Sequence, residues 1–76
     1  MEIGNHVIYT DEFGSDHSAL VTAIWGIDSP MKSLNLVFVS NDPNAMDQYG
    51  RQLAERPTSV VHESVQAAHG RKWREA

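Results

Sequence analysis

Seventy-six residues make one domain, 1–76, with a core so small that such chains often rely on a disulfide, a metal or a partner subunit as well. The absence of cysteine excludes disulfides and cysteine-ligated zinc. The net charge of −4 divides into −6 over residues 1–50 (seven acids, one base) and +2 over residues 51–76 (five bases, three acids), which argues against a general nucleic-acid binder and leaves only a local patch, RKWRE, to meet phosphate.

In chain order, HVIY at residues 6–9 has strand composition after Gly4-Asn5. DEFGSD at 11–16 packs turn formers together, as in a hairpin or a longer excursion. HSALVTAIWG is a strong second strand, with Ala19, Val21, Ala23 and Trp25 on one face and Leu20, Thr22 and Ile24 on the other. Two apolar faces predict a curved strand buried on both sides for part of its length, with Trp25 in the core. DSPMKS is a connector, since Pro30 does not fit a central strand. LNLVFVS is the third strand, with Leu34, Leu36 and Phe38 on one face and Val37 and Val39 opposite. The pattern then stops for seventeen residues, 41–57, a length that is uncommon for a loop in a compact domain and often functional. NDPN at its start is turn chemistry, and AMDQY is expected to form a short helical turn. TSVVHES resumes as a fourth strand, and VQAAHGRKWRE holds a helical turn or a last short strand, with Trp73 pinning the chain end. The prediction is an all-β protein: a small barrel of about five strands whose long loop carries a short helical turn. Closure removes exposed edges at this size.

IGNHVIYTDEFGSDHSALVTAIW is similar to the opening of SH3-like small barrels. ALVT, LNLVFVS, DQYGRQ, TSVVH and HGRKW, in this order, resemble a group of small proteins of tailed phages and prophages, over nearly the whole chain. The resemblance implies an SH3-like fold and a phage setting. It implies no reaction, and small barrels host many functions.

The chemistry points to holding rather than reacting. Ser15, Asp16, His17 and Ser18 adjoin, but neighbours in an extended chain point to opposite sides and cannot relay a proton among themselves. His62 and His69 lack zincin spacing, and the acids form no evident catalytic pair, so no enzyme, no metal and no cofactor is expected. Within DQYGRQ, Tyr49 offers a ring, Gly50 allows close backbone approach, and Arg51 a planar fork of donors beside Gln52. His62, His69, Arg71, Trp73 and Arg74 follow. Tyr, Trp and Arg dominate protein hot spots, and the same groups suit a nucleotide-like anion. The plainer reading is that Tyr49 covers the barrel end and Arg51 pairs with Asp47 four residues earlier.

The expected function is therefore a non-catalytic, phage-encoded binding module that works by protein–protein contact through Tyr49, Arg51, Gln52, His62, His69, Arg71, Trp73 and Arg74. Its partner is a host protein, a defence factor among them, or another copy of the chain. The alternatives are an oligomer that sequesters a nucleotide-like anion through Arg51, His62 and His69, and a virion structural or assembly accessory. Duplex DNA suits the acidic first half poorly. No apolar run spans a membrane and MEIGNHVIYT lacks signal-peptide character, so the expected place is the cytoplasm of the bacterial host.

Overall fold

The first hairpin follows from alternation and one aspartate. The computed structural model describes residues 1–26, 32–65 and 70–76. Strands β1 (His6–Thr10) and β2 (Asp16–Trp25) pair antiparallel, with Val7 opposite Ala19, Tyr9 opposite His17 and Thr10 opposite Asp16. The period of two sends Val7, Tyr9, His17, Ala19 and Val21 inward. Asp11 closes the turn: its Oδ1 accepts the backbone N–H groups of Phe13 and Ser15, both at 2.9 Å, and its own N–H donates to the Ser15 carbonyl.

Strand β3 (Ser33–Val39) pairs with β2 and presents Leu34, Leu36 and Phe38 to the core, as the alternation predicts. The expected facing of β2 holds only as far as Val21. Val21 pairs with Leu36 and Ala23 with Asn35, so Thr22 is an extra residue and the strand carries a bulge there. Beyond it the faces exchange: Ile24 packs against the core, and Trp25 is 53% exposed, its Nε1 donating to Asn35 Oδ1 at 2.9 Å. Trp25 is thus a surface residue, not a core one.

The long segment after β3 is structured without a helix. The helical turn expected near residues 45–49 is replaced by a small hairpin: Met46 bridges Gln52, Asp47 N–H donates to the Arg51 carbonyl and Leu53 N–H to the Ala45 carbonyl. Strands β4 (Ala54–Glu55) and β5 (Val60–Val61) then run along β3 as two pieces of one interrupted strand, pairing Phe38 with Glu55 and Leu34 with Val60. Four residue steps of β3 match five on this side, so one residue is extra. Pro57 without an N–H and Ser59 at φ 52° lie in the interruption.

Strand β6 (Lys72–Glu75) pairs with β1, giving six strands in the order β4-β3-β2-β1-β6, with β5 on β3. The sheet is antiparallel and not closed. Among the described residues, the step from β6 back to β5 is a single parallel bridge, His62 to Trp73, with Glu63 N–H donating to the Trp73 carbonyl at 2.9 Å. One core fills the inside: Val7, Tyr9, Ala19, Val21, Leu34, Leu36, Phe38, Val60 and Trp73. Among the described residues no helix is long and apolar enough to cross a membrane.

Candidate functional site

The inner face of the sheet ends in an open cleft of about 660 Å³. Its floor is aromatic. Tyr9 of β1 and Phe38 of β3 are buried with ring centroids 5.3 Å apart, and His17 of β2 stacks on Phe38 at 4.3 Å. One wall is the turn 11–15, the other the interrupted run 55–58; Asp42 and Arg71 complete the lining. Two hydrogen-bond sets hold these walls. His17 Nε2 donates to Asp11 Oδ2 at 2.8 Å, fixing the turn to a ring that is stacked on Phe38 but does not itself line the cleft. Arg71 donates from Nε to the Tyr9 hydroxyl and from Nη2 to the Thr58 carbonyl, both at 3.1 Å, tying the far wall to the floor. Gly70, at φ +77°, lies so close to the turn that a Cβ there would meet Glu12 Cα at 3.2 Å. At the lip Phe13 is 85% exposed, an aromatic ring in solvent.

The structure disperses the residues singled out in the sequence. Tyr49, Arg51 and Gln52 belong to the 45–53 hairpin. Asp47 builds its tip, accepting the backbone N–H groups of Tyr49 (2.8 Å) and Arg51 (3.0 Å) on Oδ1 and the Arg51 Nε on Oδ2 (2.6 Å). The expected Asp47–Arg51 pair therefore forms, within a turn and not a helix. The Arg51 guanidinium lies 5.2 Å from the Tyr49 ring centroid, and Tyr49 is 73% exposed, so it covers no barrel end. Gln52 reaches back to the Asp42 carbonyl, fastening the hairpin beside the cleft. His62 and Trp73 sit together elsewhere, ring edge to ring face at 4.5 Å. His62 Nδ1 accepts the Ser64 N–H, Nε2 donates to Glu75, and Trp73 Nε1 donates to the Lys32 carbonyl. Arg74 lies on the outer face, bound to Asp16 at 2.8 Å. Of the eight, only Arg71 lines the cleft, and His69 lies outside the described residues.

The cleft residues that sequence reasoning passed over are Glu12, Phe13, Glu55 and Arg56. A signal was present for one of them: DEFGSD places a large aromatic amid turn formers, where no strand exists to bury it. Among the described residues no group of three or more His, Asp or Glu side chains converges in the manner of a metal site.

Four carboxyls are held below their ordinary values by donors: Asp11 chiefly by His17, Asp16 by Arg74 and then Thr10, Asp47 by the Arg51 N–H, and Glu75 by His62. A depressed acid contributes stability above its unfolded-state value, and that contribution is lost as pH falls through the folded one. The expected result is a urea midpoint insensitive to these groups above about pH 5. It falls as pH drops from 3.8, the ordinary aspartate value, toward about 2, where Asp16 protonates. Arg74→Gln flattens the lower part of that fall; an unchanged acid limb removes Asp16 from the account.

Gly50, at φ +79° with open space around its Cα, tests the hairpin tip. Gly50→Ala meets no clash, so its cost is the left-handed backbone alone, about 1–2 kcal/mol by urea unfolding. Tyr49→Ala, in solvent, changes stability by less than about 0.5 kcal/mol.

No family model, curated protein or solved structure matches the chain.

Proposed function

We propose that the protein is a non-catalytic binding module on an SH3-like barrel, acting by protein–protein contact through the cleft between turn 11–15 and run 55–58. The barrel reading is supported by the path of pairing: β5 joins β3, β3 joins β2, β2 joins β1, β1 joins β6, and the His62–Trp73 bridge returns to the end of β5. The binding reading is carried by Phe13. A ring 85% exposed gains nothing for the fold where it stands, yet it lies at the lip of a cleft whose walls are fastened by side-chain bonds. A rigid, solvent-facing aromatic beside a concave surface is what a partner anchors on. In the phage setting that the sequence resemblance implies, the partner is a host protein, a defence factor among them, met in the host cytoplasm.

The test is retention of a defined partner from bacterial lysate on immobilised protein, compared with Phe13→Ser and with Tyr49→Ser. Both residues are exposed, so both variants keep the wild-type unfolding midpoint. A partner lost with Phe13→Ser and kept with Tyr49→Ser supports the cleft. The reverse pattern moves the contact to the hairpin tip, and retention by both variants overturns the assignment. Light scattering in parallel identifies a second copy of the chain as the partner.

A further inference from the structure

We infer that the cleft takes an extended cationic segment of a partner protein, laid along the free edge of β4 with a lysine or arginine between Glu12 and Glu55 and an apolar side chain on Phe13. This rests on the reading of the cleft as the partner site. It follows from three separate features: which charges there are already engaged, which backbone groups are unpaired, and where the apolar surface lies.

The cleft is lined by four carboxylates and two guanidiniums. Asp11 is committed to His17 and to two backbone N–H groups, and Asp42 Oδ1 accepts the Asn44 N–H. Arg71 is committed to the Tyr9 hydroxyl and the Thr58 carbonyl, so it serves as a strut. Glu12 and Glu55 make no ion pair among the described residues. Both line the cleft, Glu12 from the turn and Glu55 from β4. The bonds of Arg71 are to uncharged oxygens, so its charge counts with that of Arg56, and the four carboxylates of the lining still exceed the two guanidiniums by two. An anionic occupant would meet uncompensated repulsion there, whereas a cation meets two carboxylates.

The second feature is the sheet edge. Among the described residues, strand β4 ends the sheet order and pairs only with β3. The carbonyls of Leu53 and Pro57 point at β3, donating partners being Ser40 N–H and Leu36 N–H at 2.9 and 3.0 Å. By alternation, the backbone groups of Ala54 and Arg56 turn away from β3 toward the open side. An added extended chain satisfies such groups and sets its own alternate side chains toward the wall. The third feature is apolar surface: Phe13 and Pro57 line the same cleft as the acidic positions. An extended segment that alternates cationic and apolar side chains matches all three; a helix would leave the β4 edge unpaired.

The probe is a fluorescein-labelled octapeptide of alternating lysine and valine, titrated by anisotropy against the full chain, with the matching glutamate–valine peptide beside it. The expected result is saturable binding of the cationic peptide alone. It weakens at least tenfold in Glu12→Gln/Glu55→Gln and changes less than twofold in Glu2→Gln/Glu63→Gln, which alters net charge equally away from the cleft. Replacing each valine by its N-methyl form, which removes backbone donors while keeping charge, also weakens binding. Equal weakening in the two charge variants reduces the effect to the net charge of the chain and overturns the site. Equal binding of the acidic peptide does the same. No binding of the cationic peptide to wild type, with a lysate partner still lost in Phe13→Ser, overturns the cationic occupant and leaves the cleft as the partner site.

Discussion

Trp73→Ala lowers the unfolding free energy by about 3–5 kcal/mol, the range for truncating a buried tryptophan. For a chain of this length, total stability is on the order of 4–11 kcal/mol, so the loss takes between about a quarter and the whole of it. The magnitude follows from position. Trp73 is 5% exposed at the centre of β6, opposite Tyr9 of β1 and against the edge of His62. Its Nε1 satisfies the Lys32 carbonyl across the interior, and its backbone carries the bridge that ties β6 to the end of β5. Truncation opens a cavity, strands that carbonyl and loosens the bridge between the two strands at once. Trp73→Phe keeps most of the apolar volume and costs less, about 1–2 kcal/mol, mainly for the unmade hydrogen bond. Trp25→Ala is the control. Half exposed beyond the bulge, it costs under about 1 kcal/mol. Urea unfolding followed by far-UV circular dichroism separates the three, because that signal does not depend on the tryptophans themselves. A Trp73→Ala loss no larger than that of Trp25→Ala contradicts the packing described.

The contrast between the two tryptophans marks where the sequence is legible. Leu34, Leu36 and Phe38 are read correctly because β3 is regular and one face is buried throughout, so a period of two suffices. The same rule fails at Trp25, because one extra residue at Thr22 exchanges the faces and a bulge leaves no mark in hydropathy. The run 54–61 was readable only at Val60 and Val61: Pro57 and the positive φ of Ser59 split it into pieces too short to show alternation. The 45–53 hairpin was hidden for a related reason. An aspartate followed three residues later by glycine, DQYG, serves equally for a helical turn and for a tight turn, and the choice is made by the Met46–Gln52 bridge and by Gln52 reaching Asp42. The candidate site was the least legible part. Its walls come from residues more than forty positions apart, 11–13 and 55–58, and they meet only because β2 and β3 lie between them in the sheet. Composition drew attention to tyrosine and arginine in DQYGRQ, while the aromatic at the cleft lip was a phenylalanine inside a turn.

Asp11→Ala carries the second large effect, and it reaches both fold and site. One carboxylate organises the whole β1–β2 turn: Oδ1 accepts from Phe13 and Ser15, and Oδ2 from the buried His17 ring. Bonds to a charged acceptor are worth about 1.5–3 kcal/mol each in isolation. The three share one side chain and the two backbone donors, Phe13 and Ser15, belong to exposed residues, so the expected loss is about 2–4 kcal/mol, not their sum. His17 sets the cost, since its ring is 8% exposed and loses its partner in the interior while still stacked on Phe38. Asp11→Asn distinguishes the geometric from the ionic part. Its Oδ1 retains both backbone donors and its Nδ2 donates to a His17 ring in the other tautomer, so the shape survives and the cost is below about 1.5 kcal/mol. The binding measurement then follows the shape. The alanine variant, assayed under conditions where it is still folded, releases Glu12 and Phe13 from their places and weakens the lysine–valine peptide. The asparagine variant holds the turn and keeps most of the affinity, because the carboxylate it removes already faces His17. If asparagine weakens the peptide as much as alanine does, Asp11 meets the ligand directly and the division of labour between a structural Asp11 and a recognising Glu12 is wrong.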